Sequence, residues 1–247
     1  METLDSLVLI GLTFLLAGFV KGVIGMGLPT VSLAILTTGF GLIPAMSLMI
    51  VPSFITNVWQ AGQGGAFREL VRRFWVMIVA VVAGVWFGGK VLVTGDTTTL
   101  TGLLGMLLCV YAVTGLSRFR IPPPGRAEPW LSPVMGGISG ILTGLTGTFV
   151  VPGVLYLQSM GLNRNSLIQA MGMLFTVSTV ALAVVLGHHK LMSVELGVYS
   201  LGGVVPALVG MVVGQRVRNR LSEAVFAKIF FASLLVLGAY IAARAFS

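Results

Sequence analysis

The fold of this chain is decided by the stretch Gly18-Phe-Val-Lys21-Gly22-Val-Ile-Gly25-Met-Gly27-Leu-Pro29, which returns as Gly140-Ile-Leu-Thr143-Gly144-Leu-Thr-Gly147-Thr-Phe-Val-Val-Pro152. Each copy contains Gly-x3-Gly-x2-Gly followed by a proline, and each lies in a long apolar run. Glycine and proline are poor residues for the interior of a membrane helix unless the helix breaks there. Paired breaks at matching places in two halves of a chain indicate the binding site of a transporter.

The composition around these motifs is that of a membrane protein. Hydrophobic residues make up 56% of the 247 residues and charged residues only 9%, whereas about a quarter of a soluble domain is charged. The 33 glycines suit closely packed membrane helices. The single cysteine, Cys109, excludes an internal disulfide and a thiol-pair redox site. The net charge of +8 does not indicate nucleic-acid binding, because the basic residues concentrate in short loops.

The apolar runs predict ten helical segments, arranged as two halves of five. In order along the chain they cover residues 4–25, 28–39, 42–61, 74–93, 100–116, 131–147, 150–160, 163–186, 194–214 and 224–243. The second segment of each half is too short to cross a hydrocarbon core of roughly 30 Å. The first two segments of each half are therefore predicted to form a broken or re-entrant pair. The predicted fold is an all-α polytopic membrane protein with eight full-length or nearly full-length spans and two short half-helices.

The same pattern divides the chain into two repeats and a linker. The first transmembrane repeat covers residues 1–117 and the second covers residues 131–247. Between them, residues 118–130 form a proline- and arginine-rich linker, predicted to be extended and cytoplasmic. A second polar loop is predicted over residues 62–73.

Charge sets the predicted orientation of these segments. Most basic residues concentrate in three loops, which contain Arg68, Arg72, Arg73, Arg118, Arg120, Arg126, Arg216, Arg218 and Arg220. The positive-inside rule places these loops in the cytoplasm. Both chain termini then fall on the periplasmic side of a bacterial inner membrane. The first broken pair has both ends outside and the second has both ends inside, so the two repeats are predicted to be inverted, as alternating access requires.

Lys21 lies inside the first glycine motif, and two interpretations remain open. An ionised lysine at the bilayer centre costs about 2.5–3.5 kcal/mol on insertion scales, so it could contact an anionic substrate beside the break. Alternatively, it lies near the inner end of the first helix and extends to the cytoplasmic surface. The second motif has Thr143 at the matching place, which makes the copies unequal.

The glycines of both motifs also have two interpretations. In the first interpretation the glycines form a binding site. They let the backbone approach a ligand, and half-helix N-termini at Leu28 and near residues 148–150 direct N–H groups at an anion. In the second interpretation the glycines only allow neighbouring helices to pack closely. The paired prolines and short segments favour the site. The predicted substrate-binding residues at the breaks are Lys21, Gly22, Gly25, Gly27, Pro29, Thr143, Gly144, Thr146, Gly147 and Thr148.

Further polar residues join this set from other segments. Ser53, Asn57 and Gln60 fall on one face of the third segment by helical spacing. Polar groups on such a face either line a pathway or bond a neighbouring helix. Gln169, near the start of the eighth segment, is the last predicted binding residue.

Several classes of function lack support in the sequence. No Walker motif is present, so ATP does not drive this chain directly. No catalytic pair or metal-ligand cluster is visible, and no cofactor is implied. The predicted partners are a small anionic substrate and the lipid bilayer, with a coupling proton or sodium ion left open together with the oligomeric state. An anion channel on the same scaffold and a membrane-embedded enzyme remain the rival hypotheses.

The first motif, Ala17 to Pro29, followed by Ala45 in the third segment, resembles the TauE/SafE family of sulfite and organosulfonate permeases, which includes 4-toluene sulfonate uptake permeases. The second half resembles it through residues 136–147 and 163–170, so the resemblance covers nearly the whole chain. It implies a bacterial inner-membrane permease for a small sulfur-containing anion such as sulfite or sulfoacetate. Some members export and others import, so the resemblance leaves the substrate and the direction of transport open.

Overall fold

The computed structural model of the chain describes residues 3–117, 121–218, 220 and 222–246. Within these residues the chain is all-helical, with no β-strand. The helices in chain order are α1 (Thr3–Ile24), α2 (Leu28–Phe40), α3 (Leu42–Gly62), α4 (Phe67–Thr94), α5 (Thr97–Leu116), α6 (Glu128–Thr146), α7 (Gly153–Ser159), α8 (Arg164–His188), α9 (Val194–Gly202), α10 (Val204–Arg218) and α11 (Glu223–Phe246).

The predicted fold class is confirmed. Seven helical stretches of the described residues are long and apolar enough to cross a membrane, with α9 and α10 together forming one of them. The 19-residue α6 is an eighth long helix, and α2 and α7 are the two short ones. The predicted break between α1 and α2 is present, and Pro29 lies in the first turn of α2, where its missing N–H leaves no hydrogen bond unmade.

The polar loop predicted over residues 62–73 is mostly wrong. Only residues 63–66 lie outside helices, and α4 begins at Phe67. Arg68, Arg72 and Arg73 therefore lie on the first two turns of α4. Arginine is a good helix former, and the acidic Glu69 in the first turn is favourable at the positive end of a helix.

The linker is shorter than predicted and differs in shape. Its residues 118–120 lie outside the described part of the chain, and α6 begins at Glu128. Pro124 has helical backbone angles rather than polyproline ones, and Gly125–Ala127 form a 3₁₀ turn. Arg73 of α4 forms a bidentate ion pair with Glu128, with Nε–Oε1 and Nη2–Oε2 distances of 2.6 Å and 2.8 Å. This contact fixes the start of α6 against α4.

The second broken pair also departs from the prediction. α6 is continuous to Thr146 despite its glycines, and the break begins only at Gly147, whose φ of 74° places it in the left-handed region. α7 begins at Gly153 and has seven residues, so the half-helix predicted over residues 150–160 is shorter than expected. Pro152 is the N-cap of α7, and the residue before a proline disfavours helical backbone angles, which keeps residue 151 out of the helix.

The segment predicted over residues 194–214 is two helices, α9 and α10, which meet at Gly203. Pro206 explains the interruption, because it cannot donate to the carbonyl four residues earlier and its ring clashes there. Pro52 likewise leaves a carbonyl of α3 without its helical N–H donor, but α3 continues past it to Gly62. The Ser200 hydroxyl of α9 donates to the Leu48 carbonyl at 2.7 Å, which is the acceptor that Pro52 leaves unused.

Two glycine-lined interfaces join the first half of the chain to the second. α1 packs against α10, where an added Cβ at Gly22 would lie 2.3 Å from the carbonyl oxygen of Met211. α6 packs against α4, where an added Cβ at Gly144 would lie 2.5 Å from the carbonyl oxygen of Val85. Backbones at this distance leave no room for a side chain, so small residues set the approach of these helices. The helices that carry the two glycine motifs are α1 and α6. Each of them packs against the fourth segment of the other half, which is α10 for α1 and α4 for α6.

Asp96 caps the N-terminus of α5, outside the apolar helices. Its carboxylate accepts hydrogen bonds from the Thr99 hydroxyl at 2.7 Å and from the N–H groups of Thr99 and Thr98 at 2.9 Å and 3.3 Å. These bonds, the hydroxyl first, hold the pKa of the Asp96 carboxyl below its usual value. The ionised form is therefore the one that stabilises the cap.

We expect Asp96→Ala to lower the melting temperature of the purified protein at pH 7. A carboxyl whose pKa is lower in the folded state stabilises above its unfolded pKa, near about 3.9, and loses this effect as the pH falls through its folded pKa. The difference in melting temperature between wild type and Asp96→Ala should therefore close as the pH is lowered past about 4. A difference that stays constant down to pH 3 would contradict this role of the charge.

Candidate functional site

The first helix break is built by two glycines with positive φ. α1 ends at Ile24, and Gly25 and Gly27 have φ values of 80° and 110°, a region that other residues rarely adopt. The Gly25 N–H still donates to the Lys21 carbonyl at 2.8 Å, while Gly27 accepts from Val31 of α2 at 2.8 Å. The backbone thus turns within three residues and restarts a helix.

Lys21 lies one turn before this break and is directed into the protein. Its side chain is 3% exposed, and its Nζ donates to Thr56 Oγ1 at 3.1 Å and to Asn57 Oδ1 of α3. The interpretation in which it extends to the cytoplasmic surface is therefore wrong. Its partners are neutral oxygens, so the hydrogen bonds do not cancel the charge of an ammonium group at this place.

Gln60 lies one turn further along the same face of α3. Its Nε2 donates to the Gly25 carbonyl at 2.8 Å and to the Ile168 carbonyl of α8 at 2.9 Å. The side chain therefore ties the break to a helix of the second half. Its Oε1 is buried without a hydrogen-bond partner among the described residues. Ser53, Asn57 and Gln60 are all buried, and the Ser53 hydroxyl is likewise unpartnered.

A cavity of about 300 Å³ opens beside Lys21, between the ends of α1, α3, α8 and α10. Its lining includes Lys21, Gly22, Gly25, Gln60, Gln215 and Arg218. The volume is at the lower limit of the roughly 300–1,000 Å³ typical of ligand pockets, which suits a small ligand. Because its lining carries a buried ammonium and a guanidinium, the cavity has the chemistry to hold an anion.

Not every residue predicted at the first break reaches this cavity. An added Cβ at Gly27 would contact Val20 and Phe230 at 3.0 Å and 3.5 Å, so this glycine faces the protein core. Pro29 is buried in the first turn of α2. Gln169, predicted from the eighth segment, has both polar atoms bonded away from the cavity, since its Nε2 donates to the Ala61 carbonyl at 2.8 Å and its Oε1 accepts from the Ala66 N–H at 2.9 Å. Gln169 holds the loop between α3 and α4.

The second break is closed by its own hydrogen bonds. The Thr143 hydroxyl shares its one proton between the carbonyl oxygens of Ser139 and Thr148, which lie 2.7 Å and 2.9 Å from its Oγ1. The Thr146 hydroxyl donates to the Leu142 carbonyl at 2.7 Å and accepts from the Thr148 N–H at 3.3 Å. These threonines therefore stabilise the turn, and the half-helix N-terminus predicted near residues 148–150 is absent there, because α7 starts at Gly153.

The packing interpretation holds for part of the glycine motif. Gly22 and Gly144 both have backbone atoms of a neighbouring helix within 3.0 Å of an added Cβ, and Gly22 additionally borders the cavity. Gly147 combines a positive φ with contact to Met46, 2.8 Å from an added Cβ. Each motif thus begins as a helix interface and ends as a turn.

The structure adds residues that the sequence interpretation did not include. Thr56 accepts a hydrogen bond from Lys21 Nζ at 3.1 Å, and Thr179 accepts one from Asn57, with an Nδ2–Oγ1 distance of 3.4 Å. Gln215 and Arg218 reach the cavity from α10. The small-residue pair Gly210 and Gly214 on α10 was the available signal, because it matches the glycine spacing of α1 and indicates that the two helices pack together.

Comparison with known proteins agrees with the motif and the fold. The family model described as "Sulfite exporter TauE/SafE" matches residues 10–241, which is nearly the whole chain. No curated protein matches the chain, and no solved structure matches it.

Proposed function

The chain belongs to the sulfite exporter TauE/SafE family, and on that premise we propose that it moves a small sulfur-containing anion, such as sulfite or an organosulfonate, across the bacterial inner membrane. Family membership makes it a membrane transporter, and its apolar helices make it a multi-pass membrane protein. The proposal adds the substrate class, alternating access by two inverted repeats, and periplasmic chain termini.

The observation that carries the proposal is the buried Lys21 beside a cavity. An ammonium group removed from water without a carboxylate partner loses much of its hydration energy. The neutral oxygens of Thr56 and Asn57 compensate part of this loss. An anion in the cavity supplies the missing charge, so the site gains most from a small and fully desolvated anion such as sulfite.

The neighbouring residues have separate roles in this proposal. Asn57 and Thr56 hold the ammonium group at the wall of the cavity, and Gln215 and Arg218 provide further donors from α10. Gly25 lets the chain turn away from the cavity at a positive φ. The second break, whose hydroxyls are satisfied, acts as a structural counterpart and not as a second half of the binding site.

Alternating access requires two parts of the protein to move relative to each other. The α1–α10 and α4–α6 interfaces are in backbone contact at glycines, so we propose that each pair moves as a unit. The hydrogen bond from Gln60 to the Gly25 carbonyl links α3 to the end of α1, and so to the α1–α10 unit, whereas the bond from Gln60 to the Ile168 carbonyl links α3 to α8. Breakage of the second bond on opening would couple movement of α8 to the state of the site.

We expect purified protein in proteoliposomes to transport sulfite or an organosulfonate in preference to chloride or acetate. The assay measures uptake of each labelled anion by wild-type protein, with and without a pH gradient and with and without sodium, so that the coupling ion is read from the same experiment. Empty liposomes are the control for passive leakage. Transport that is equal for all anions, or absent for all sulfur anions, would contradict the proposed substrate class.

A further inference from the structure

Lys21 forms two side-chain hydrogen bonds, and both of them suit a neutral amine as well as an ammonium group. Its Nζ donates to Thr56 Oγ1 at 3.1 Å and to Asn57 Oδ1. An ammonium group has three N–H donors, and the neutral amine that remains after loss of one proton has two. The two acceptors are therefore satisfied in either protonation state, and neither of them needs the third N–H of the ammonium group.

The partners of Lys21 are held as acceptors by their own hydrogen bonds. The Thr56 hydroxyl directs its one proton to the carbonyls of its own preceding turn, which lie 2.8 Å and 3.2 Å away. The Thr179 hydroxyl donates to the Phe175 carbonyl at 2.6 Å, so its oxygen accepts from Asn57 Nδ2 at 3.4 Å. This bond keeps Asn57 Oδ1 directed at Lys21. The direction of the network therefore does not depend on the charge of Lys21.

Among the described residues, no carboxylate forms an ion pair with Lys21. Of the helices packed against α1, α2 and α3 contain no titratable residue, and α10 contributes the guanidinium of Arg218 to the cavity. The other charged side chains described on α1 and on the helices packed against it are not among the lining residues: Asp5, Glu195, Arg216, Lys228 and Arg244. A like charge such as that of Arg218 disfavours the ammonium form, so an anion in the cavity is the group that stabilises it.

The charge of Lys21 becomes costly when that anion leaves. Removal from water disfavours the charged form of an amine, and a nearby anion restores it. A carrier that returned empty with an ammonium group at this place would move an uncompensated charge within the bilayer, which is unfavourable. The neutral amine keeps both hydrogen bonds of Lys21 and avoids this cost.

Resting on the proposed transport function, we propose that Lys21 carries the coupling proton, so that each cycle moves one proton in the same direction as one anion. When the anion leaves, the bond between Nζ and its third hydrogen breaks, the electron pair stays on the nitrogen, and the proton passes to water on the release side. On the other side the amine takes a proton from water as the next anion binds. Exchange of one anion for another needs no such step, because the proton stays on Lys21 throughout.

The internal pH tests this step on the wild-type protein. Initial uptake of labelled sulfite is measured at one fixed external pH into proteoliposomes of different internal pH. The lumen is either free of sulfite, which gives net uptake, or loaded with saturating unlabelled sulfite, which gives exchange. We expect net uptake to fall as the lumen is made more acidic, approaching about tenfold per pH unit where proton release limits the cycle, while exchange stays constant.

The protons of sulfite itself do not enter this comparison, because its external form is the same in every sample. Net uptake that is independent of internal pH, or that falls no more than exchange does, overturns the proposal. Absence of saturable sulfite exchange would instead contradict the proposed function.

Lys21→Arg separates proton coupling from anion binding. Arginine keeps a positive charge and N–H donors, but it does not give up its proton in proteins. We expect this variant to retain exchange, whereas its net uptake should fall to the level of empty liposomes, because the empty carrier cannot return. Lys190→Arg, at an exposed lysine in the turn after α8, should match wild type in both assays. Net uptake by Lys21→Arg that responds to internal pH as wild type does overturns the proposal, and if this variant loses exchange as well, the wild-type measurement decides alone.

Discussion

Replacing Lys21 by methionine is expected to reduce the apparent affinity for sulfite roughly 10- to 150-fold, the effect of losing about 1.5–3 kcal/mol from a hydrogen bond to a charged group. Methionine keeps an unbranched apolar chain of four atoms and lacks the terminal nitrogen. The melting temperature should change little, because the variant loses the hydrogen bonds to Thr56 and Asn57 but no longer buries an ion. The measurement is sulfite uptake in proteoliposomes over a range of concentrations, together with thermal unfolding.

Lys190→Met is the matched control for this prediction. Lys190 is an exposed lysine in the turn after α8, so its replacement removes the same charge away from the cavity. Its uptake should equal that of wild type. Uptake by Lys21→Met with wild-type affinity, or a loss of the same size in Lys190→Met, would remove Lys21 from the site.

Introducing leucine at Gly144 is expected to destabilise the folded protein. An added Cβ there would lie 2.5 Å from the Val85 carbonyl oxygen and 2.6 Å from the Gly89 nitrogen, both backbone atoms that cannot turn aside. Overpacking of this kind costs about 1–3 kcal/mol or more, which corresponds to a fall in melting temperature of roughly 2–12 °C. The yield of monodisperse protein after purification and its thermal unfolding measure the effect.

Gly137→Leu provides the control within the same helix. An added Cβ at Gly137 has nothing within 4 Å, so the same substitution should leave the melting temperature close to that of wild type. Gly22→Leu should lower the melting temperature as Gly144→Leu does, because an added Cβ at Gly22 would lie 2.3 Å from the backbone carbonyl oxygen of Met211 in α10. A normal melting temperature for Gly144→Leu, with transport alone lost, would show that this glycine lines the pathway instead of an interface.

Much of the fold is predictable from the sequence because membrane helices must satisfy their own backbone hydrogen bonds, which makes them long and apolar. The breaks after Ile24 and after Thr146 follow from glycines that adopt positive φ. The prediction failed where local chemistry competes with hydropathy. The charged turns of α4 are helical, and Pro206 divides a segment that is long and apolar enough to count as one span.

The candidate site was predictable only in part. Helical spacing placed Asn57 and Gln60 on one buried face of α3, and the motif drew attention to Lys21. The sequence could not indicate that the ammonium is directed towards Asn57, since this depends on how α1 lies against α3. The sequence also could not show that the two motifs have different roles, because a threonine that binds a ligand and a threonine that bonds its own turn look identical in sequence.

The central claim, that the chain carries a sulfur anion by alternating access, is tested most directly by counterflow. Proteoliposomes loaded with a high concentration of unlabelled sulfite are diluted into a trace of labelled sulfite, and internal label is followed over time. A carrier should accumulate label transiently above the equilibrium level, at a rate that saturates with external sulfite and is strongly reduced in Lys21→Met. Label that only approaches equilibrium, at a rate that rises in proportion to external sulfite, would contradict a carrier and indicate a channel.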